Sequence, residues 1–150
     1  MIAAKAAYEI RVLRLNECPD APKLETPENA FQYWQSVITT MPWYIPDREV
    51  CVAITLNTRL RVTGHSLVSI GSLNESVVHS RDVFRATVAM NAYAVVLVHN
   101  HPSGDPAPSD ADNRITRRLS EASQVLQIAL LDHVIIGAEK WFSFKEGGLL

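Results

Sequence analysis

The sequence predicts an α/β fold, a mixed β-sheet flanked by helices. Short runs with strand-like patterning occur between segments whose apolar residues recur at helical spacing. The run 94–98 is entirely apolar, as in a strand covered on both faces, and a helix start follows it at Ser109. Strands that alternate with helices in this way form a sheet with helices packed on its faces.

Each expected element has a local signature. Residues 8–15 alternate apolar and polar side chains and predict a first strand. The triplet Thr26-Pro27-Glu28 predicts a helix start, with a capping residue, a proline at the first helical position and a first-turn acid. The remaining expected elements are a continuation of that helix to about Thr40 with Phe31, Trp34 and Ile38 inward, strands 49–56 and 60–68 joined by a hairpin turn at 57–59, a helix 81–91 capped by Ser80, and strands 128–136 and 141–145.

Composition indicates a single domain over residues 1–150, of which 1–25 form an N-terminal strand and linker. With 47% hydrophobic and 20% charged residues, the chain has enough apolar material for one core. No apolar run approaches the ~20 residues of a membrane span and no signal peptide is evident, so a cytoplasmic location is expected. The formal net charge of −2 gives no general electrostatic case for binding a phosphate backbone.

The segment that follows the run 94–98 has the residues of a metal site. In an extended chain His99 and His101 face the same side about 6.6 Å apart, and two imidazoles are good ligands for zinc. Ser109 is a natural helix N-cap and places Asp112 at the third helical position. The helix dipole favours a carboxylate there, and it can point back toward the strand end. We therefore predict a zinc site formed by His99, His101 and Asp112.

Other polar residues in this segment have simpler interpretations. Asp105 and Asp110 compete with Asp112 as ligands, but a turn position beside Gly104 and a solvent-facing first helical turn are favoured for them. Asn100 points to the opposite face from its two histidine neighbours. We interpret it as a structural hydrogen-bonding residue.

Polar residues farther along the chain are also expected to be structural. The pair Asp132-His133 lies inside the strand 128–136 and could support a catalytic site. A buried pair satisfied by backbone groups is the preferred interpretation. We further expect surface positions for His65 and His79, a solvated helix face rather than a basic stripe for Arg114, Arg117 and Arg118, and reduced thiols at Cys18 and Cys51.

Residues 99–109 read HNHPSGDPAPS, a His-x-His-Pro pattern followed by Ser, and Asp112 stands eleven residues after His101. ITRRL at 115–119 and LDHVIIG at 131–137 follow. Over about residues 26–150 this resembles the RadC group of the JAB/MPN (JAMM) zinc metalloprotease superfamily. The resemblance implies a JAB/MPN-like, cytidine-deaminase-like sandwich. RadC proteins often have a helix-hairpin-helix segment before this domain, and none is expected here.

The resemblance also implies the catalytic residues. Glu49, preceded by Arg48, matches the upstream Glu of the superfamily and is the implied general base, which takes the proton of the attacking water without binding the metal. Ser109 is the implied hydrogen-bond donor to the developing oxyanion, and Zn²⁺ is the implied cofactor. The implied function is a zinc-dependent hydrolase of peptide or isopeptide bonds that acts on an unidentified peptide or protein.

Two other functions share parts of this pattern. A non-enzymatic DNA-repair-associated or scaffold module agrees with the DNA-repair label of the RadC group, but the intact set of Glu, two His, Ser and Asp favours an enzyme. A zinc nuclease or deaminase shares the metal, but the sequence has no Cys-x-x-Cys motif and no second ligand cluster. No membrane partner is expected, nucleic acid is not favoured by the charge, and the oligomeric state is left open.

Overall fold

The computed structural model describes residues 19–71 and 78–150, so the strand expected at 8–15 lies outside the described residues. The elements in chain order are α1 Pro27–Ser36, a 3₁₀ turn Ile38–Thr40, β1 Val50–Leu56, β2 Val62–Ile70, α2 Ser80–Ala89, β3 Ala94–Asn100, α3 Asp110–Leu126, β4 Ala129–Ile136 and β5 Trp141–Ser143. No helix within the described ranges is long and apolar enough to cross a membrane.

The strands form one sheet in the order β2-β1-β3-β4-β5, with β3 at its centre. β1 is antiparallel to β2 and β3, β3 is parallel to β4, and β5 is antiparallel to β4. Helix α3 connects the parallel pair, since parallel strands need a crossover. The expected mixed α/β fold is confirmed. The carboxyl end of β3 lies between the start of β1 and the carboxyl end of β4.

The two faces of the sheet are covered by different helices. On one side, which we term the α1 face, Trp34 and Ile38 are 1% and 0% exposed and pack with alternate residues of β1 and β3. Helices α2 and α3 cover the other side, the α2–α3 face, where Phe84 and Leu119 belong to one buried cluster with Leu97. Each such large apolar side chain contributes roughly 1.5–3 kcal/mol when fully buried.

The bounds of the first two helices differ from expectation. One helix was expected to run to about Thr40, but α1 ends at Ser36 and a separate 3₁₀ turn, Ile38–Thr40, follows it. The expectation that Ser80 caps α2 was wrong. The helix begins at Ser80 itself, and the N-cap position belongs to His79, whose side chain makes no capping hydrogen bond.

The hairpin between β1 and β2 is present at the expected place, but β2 is shifted. Leu60 has a φ of 57°, a left-handed conformation that an extended strand cannot contain. Its backbone N–H donates to the carbonyl of Asn57 (2.9 Å), so residue 60 belongs to the turn. β2 consequently runs from Val62 to Ile70 instead of over 60–68.

A register shift in β4 decides which of its side chains face α3. Val95 of β3 pairs with Leu130, but the next residue, Val96, pairs with Asp132, so β4 accommodates one extra residue. Because side chains alternate along a strand, one extra residue moves the following side chains to the opposite face. Leu130 and His133 therefore both lie on the α2–α3 face.

Candidate metal centre

Two histidines at the carboxyl end of β3 lie on the α2–α3 face. His99 is within the strand and 3% exposed, whereas His101 follows the strand and is half-buried. The backbone N–H of His101 donates to the carbonyl of Ile136 in β4 (2.9 Å), so the chain is still paired there. The Nε2 atoms of the two rings lie 3.1 Å apart.

A stiff loop carries the chain from His101 to α3. Gly104 has a φ of 83°, which favours glycine, and its N–H donates to the carbonyl of His101 (2.9 Å). Asp105 is exposed, and its carboxylate accepts a hydrogen bond from the N–H of Ala107 (3.0 Å). Asp105 is therefore the turn residue that the sequence predicts, and its carboxylate is not part of the ligand cluster.

Asp112 is oriented by the capping box of α3. The N-cap Ser109 accepts a hydrogen bond from the N–H of Asp112 (3.1 Å). In return, the backbone N–H and the hydroxyl of Ser109 donate to Asp112 Oδ2 (2.8 and 2.6 Å). This leaves Oδ1, 3.2 Å from His99 Nε2, as the carboxylate atom without a bond to Ser109. The expected N-cap role of Ser109 is confirmed, and Asp110 is exposed as expected.

The three candidate ligand side chains lie close enough together to hold one metal ion, with one ligand atom from each residue within 4.8 Å of the others. Besides the 3.1 Å between the histidine Nε2 atoms, His99 Nε2 lies 3.2 Å from Asp112 Oδ1 and His101 Nε2 lies 3.4 Å from Asp112 Oδ2. Ligand atoms at about 2.0–2.1 Å from a tetrahedral zinc stand roughly 3.3 Å apart. The cluster could thus hold a metal ion through three protein ligands, with a fourth position left for water or substrate.

The hydrogen bond made by His101 favours metal binding at its other nitrogen. Its Nδ1 lies 2.9 Å from the carbonyl oxygen of Asp105, and a carbonyl can only accept. Nδ1 therefore carries the ring proton, and Nε2 of the neutral ring has a lone pair directed toward Asp112. A lone pair and a carboxylate oxygen at this distance repel unless a proton or a metal ion lies between them.

Contacts within this cluster favour a charged Asp112 carboxylate and a charged His101 ring. Burial raises the pKa of Asp112, but its contacts with His101, His99 and Ser109 outweigh burial and hold that pKa well below its ordinary value. Burial lowers the pKa of His101, but its contacts with Asp112 and with the Asp105 carbonyl raise that pKa overall. The first turn of α3 adds the positive end of the helix dipole beside the Asp112 carboxylate.

Glu49 lies next to the histidines, directly before the first residue of β1. Cys51 pairs with His99, so the antiparallel register places Glu49, two residues earlier, opposite His101 and on the same face of the sheet. Glu49 is half-buried, and its charge also contributes to the raised pKa of His101. The residue expected as general base is thus adjacent to the ligand cluster.

Asn100 fixes the backbone on both sides of Glu49. Its Oδ1 accepts a hydrogen bond from the N–H of Val50 (2.8 Å), and its Nδ2 donates to the carbonyl of Arg48 (3.0 Å). The structural role expected for Asn100 is confirmed. Since Asn100 is the last residue of β3, these bonds tie the Glu49 segment to the strand that carries the histidines.

His133 contacts a candidate metal ligand, so the preferred interpretation of a pair satisfied only by backbone was wrong for this residue. Its Nε2 lies 2.8 Å from His99 Nδ1, and its Nδ1 lies 2.6 Å from the hydroxyl of Thr116 in α3. The interpretation holds for Asp132, whose carboxylate accepts hydrogen bonds from backbone groups and a hydroxyl of β4, β5 and the following turn. Sequence reasoning did not single out Thr116.

His65 is not the surface residue that was expected. It is half-buried, with its Nδ1 2.8 Å from the hydroxyl of Tyr33 and its ring near Trp43. Burial raises the pKa of Tyr33 to about 12. The expected exposure is confirmed for His79, Arg114, Arg117 and Arg118, Cys51 is a buried free thiol, and Cys18 lies outside the described residues.

Comparison with known proteins agrees with this geometry. A family model described as a RadC-like JAB domain matches residues 24–149. The chain is 40% identical over 150 residues to a UPF0758 protein of Thermotoga maritima, covering 99% of this chain and 65% of that protein. It is 42% identical over 130 residues to a UPF0758 protein of Chlorobaculum parvum, covering 85% of this chain and 55% of that protein. The chain therefore belongs to the RadC-like JAB domain family.

Proposed function

We propose that this protein is a zinc-dependent hydrolase of peptide or isopeptide bonds in which Glu49 is the general base. The observation that carries the proposal is the cluster of His99, His101 and Asp112, whose ligand atoms lie within 4.8 Å of one another, beside the half-buried carboxylate of Glu49. Three protein ligands with an open fourth position distinguish catalytic from structural zinc sites. The family match supports the same chemistry. UPF0758, the printed name of the relatives, states no activity.

Each side chain of the site has a separate role in the proposed reaction. His99, His101 and Asp112 would hold a Zn²⁺ ion, which when bound would supply Lewis-acid polarisation of the substrate carbonyl and a water molecule of lowered pKa. Glu49, opposite His101, accepts the proton of the attacking water and delivers it to the leaving amine. Asn100 holds the backbone of Glu49 so that the carboxylate keeps this position.

Ser109 has two roles in the proposal. Its hydroxyl donates to Asp112 Oδ2 at 2.6 Å and thereby orients the ligand. Stabilisation of the developing oxyanion requires that this hydroxyl rotate toward the substrate. Ser109 is exposed and His101 is half-buried, so the substrate approaches from the side of these two residues.

Hydrolysis assays with zinc-loaded protein test the proposal. Peptide, isopeptide-linked and DNA substrates are each incubated with and without a zinc chelator, and cleavage is followed by mass spectrometry. The proposal expects chelator-sensitive cleavage of an amide substrate. Glu49→Gln keeps the size of the side chain but cannot accept a proton, so zinc should stay bound while the rate falls by about 100-fold or more.

Glu121→Gln is the matched control, because Glu121 is an exposed carboxylate on α3 outside the ligand cluster. It should leave the rate unchanged. Equal rates for Glu49→Gln and wild type would remove the general base. Stoichiometric zinc without cleavage of any amide substrate would instead favour the non-enzymatic module of the RadC type, and chelator-sensitive cleavage of DNA alone would favour a nuclease.

A further inference from the structure

A buried chain of hydrogen bonds connects the two segments that carry the candidate metal ligands. It runs from His99 Nδ1 to His133 Nε2 (2.8 Å) and from His133 Nδ1 to Thr116 Oγ1 (2.6 Å). It ends at the backbone carbonyl of Asp112, 2.7 Å from Thr116 Oγ1. His133 is the middle member, and it comes from β4 rather than from either ligand segment.

The acceptor at the end of this series of hydrogen bonds determines which atom donates in each of them. The Asp112 carbonyl has no proton, so the Thr116 hydroxyl must donate to it. The hydroxyl has a single proton and therefore accepts from His133 Nδ1–H. His133 Nε2 then has a lone pair and accepts from His99 Nδ1–H. In the neutral ring that a metal ion requires, Nε2 of His99 is consequently left without a proton, and it is the nitrogen that faces Asp112.

The ring of His133 is held by its two ring-nitrogen hydrogen bonds and by stacking on one aromatic neighbour. It is fully buried and stacks on Phe144 with ring centroids 4.7 Å apart and planes 8° from parallel. Its backbone N–H donates to Asp132 (2.8 Å), and its carbonyl accepts from the N–H of Phe144 (3.0 Å). A ring held this firmly provides His99 with an acceptor at a fixed position.

We propose that His133 is a positioning residue for the metal centre. It acts through His99 on one side and through Thr116 on the other. It sets the tautomer and ring orientation of His99, and through Thr116 it ties the first turn of α3, which carries Asp112, to the same point. The inference rests on the proposed metal centre but not on hydrolysis. Outer hydrogen-bond partners of metal ligands typically change metal affinity by about 10- to 100-fold.

Zinc affinity, measured by competition with a chromophoric chelator, tests the role of His133. His133→Phe retains an aromatic ring that can stack on Phe144 but has no ring nitrogens. We expect its affinity for zinc to fall by about 10- to 100-fold. His133→Gln offers an amide that can accept from His99 and donate to Thr116, so it should recover most of the loss.

Thr116→Val tests the other end of the chain and covers the case in which His133→Phe does not fold. Thr87→Val is its matched control, because Thr87 is 0% exposed and its hydroxyl makes the same helical bond, to the carbonyl of Val83 at 2.7 Å, but Thr87 is not a member of the ligand cluster. Thr116→Val should lower zinc affinity and Thr87→Val should not. Equal zinc affinities for wild type, His133→Phe and Thr116→Val would overturn the proposal.

Nuclear magnetic resonance of the zinc-loaded protein gives a readout that a purely structural role would not produce. With ¹⁵N-labelled histidine, the proposal expects a scalar coupling across the N–H···N bond between His99 Nδ1 and His133 Nε2, with the proton on His99. A proton on His133 Nε2, or a proton on the metal-facing Nε2 of His99, would contradict the assigned direction. Neither result depends on whether a substrate is cleaved.

Discussion

The two faces of the central strand bury different kinds of side chain. On the α1 face the core is aliphatic and aromatic, and the polar residue that β3 contributes there, Asn100, bonds only to backbone. The α2–α3 face is equally apolar around Leu97 but changes toward the end of the strand. There the buried residues are His99, Asp112, Thr116 and His133. Because each of them has a hydrogen-bond partner, burial does not leave them unsatisfied. One face therefore supplies stability, and the other combines stability with the ligand cluster.

Substitution of the ligands should have the largest effect, because it should remove zinc binding and leave the fold intact. His99→Ala and Asp112→Ala are each expected to abolish stoichiometric zinc binding while the domain stays folded, because the α1 core does not depend on the ion. Metal content and circular dichroism measure the two properties. His79→Ala, an exposed histidine outside the cluster, serves as control. Full zinc occupancy in both variants would refute the ligand assignment, and global unfolding would make the metal structural.

Trp34→Ala should have the opposite pattern. It leaves a large cavity on the α1 face, where Trp34 is 1% exposed, and should lower the free energy of unfolding by about 3–5 kcal/mol. Leu119→Ala, in the buried face of α3, should cost about 2–5 kcal/mol. Urea denaturation and zinc titration of the folded fraction separate the two variants. Zinc affinity should be unchanged in Trp34→Ala and reduced in Leu119→Ala, because α3 carries Asp112. The same reduction in both would show that the faces are not independent.

Asn100→Ala should affect both stability and the site, since Asn100 lies on the α1 face but holds the backbone beside Glu49. Removal of the amide leaves the buried N–H of Val50 without its acceptor, which costs about 1–3 kcal/mol. If Glu49 is the general base, hydrolysis should fall while zinc binding is retained. Denaturation, zinc titration and the rate of amide cleavage are measured together. A rate that does not change would show that Asn100 does not position Glu49.

Ser109→Ala and Thr26→Ala compare the same capping box on the two faces. Each residue accepts from the N–H of the third helical residue and caps α3 or α1. Each substitution should cost about 1 kcal/mol of stability. Ser109→Ala should also weaken zinc binding because it frees the Asp112 carboxylate, whereas Thr26→Ala should not. Equal zinc affinities for Ser109→Ala and Thr26→Ala would show that Ser109 acts only as a helix cap.

The smallest effect concerns His65 on the α1 side of the molecule. Burial lowers its pKa below 6.5 in the folded state, so the unfolded chain takes up this proton first as the pH falls. The free energy of unfolding should therefore decrease as the pH falls from about 6.5 toward the folded-state pKa, and this group should have no effect above that interval. His65→Gln should reduce this slope in urea denaturation across that interval, and His79→Gln, at an exposed position, should not. Identical slopes for His65→Gln and wild type would show that His65 is not the group responsible.

The ligand cluster could be predicted because its geometry is local. The i, i+2 spacing of His99 and His101 in an extended chain and the third helical position of Asp112 both follow from short sequence patterns. The position of Glu49 depends on pairing between β1 and β3, which lie far apart in the sequence, so resemblance to a family was needed to identify it.

The residues that support the cluster were less accessible to sequence reasoning. The Asp-His pair at 132–133 was visible, but the face that His133 takes is set by the register shift next to Leu130. No glycine or proline at 129–133 marks that shift. His65 was misjudged for a related reason, since its partner Tyr33 reaches it only when α1 packs on the sheet.

The short distance along the chain between His99 and Asp112 has a consequence for folding thermodynamics. Because all three ligands lie within fourteen residues, we expect the unfolded chain to bring two imidazoles and a carboxylate together often enough to keep some affinity for zinc. An ion that binds both states stabilises the native one only by the difference between the two affinities. Contacts from distant segments, such as His133 in β4, exist in the native state alone. The increase in melting temperature caused by zinc should therefore be smaller than the native-state affinity alone implies, and the distant contacts should contribute to the part that remains.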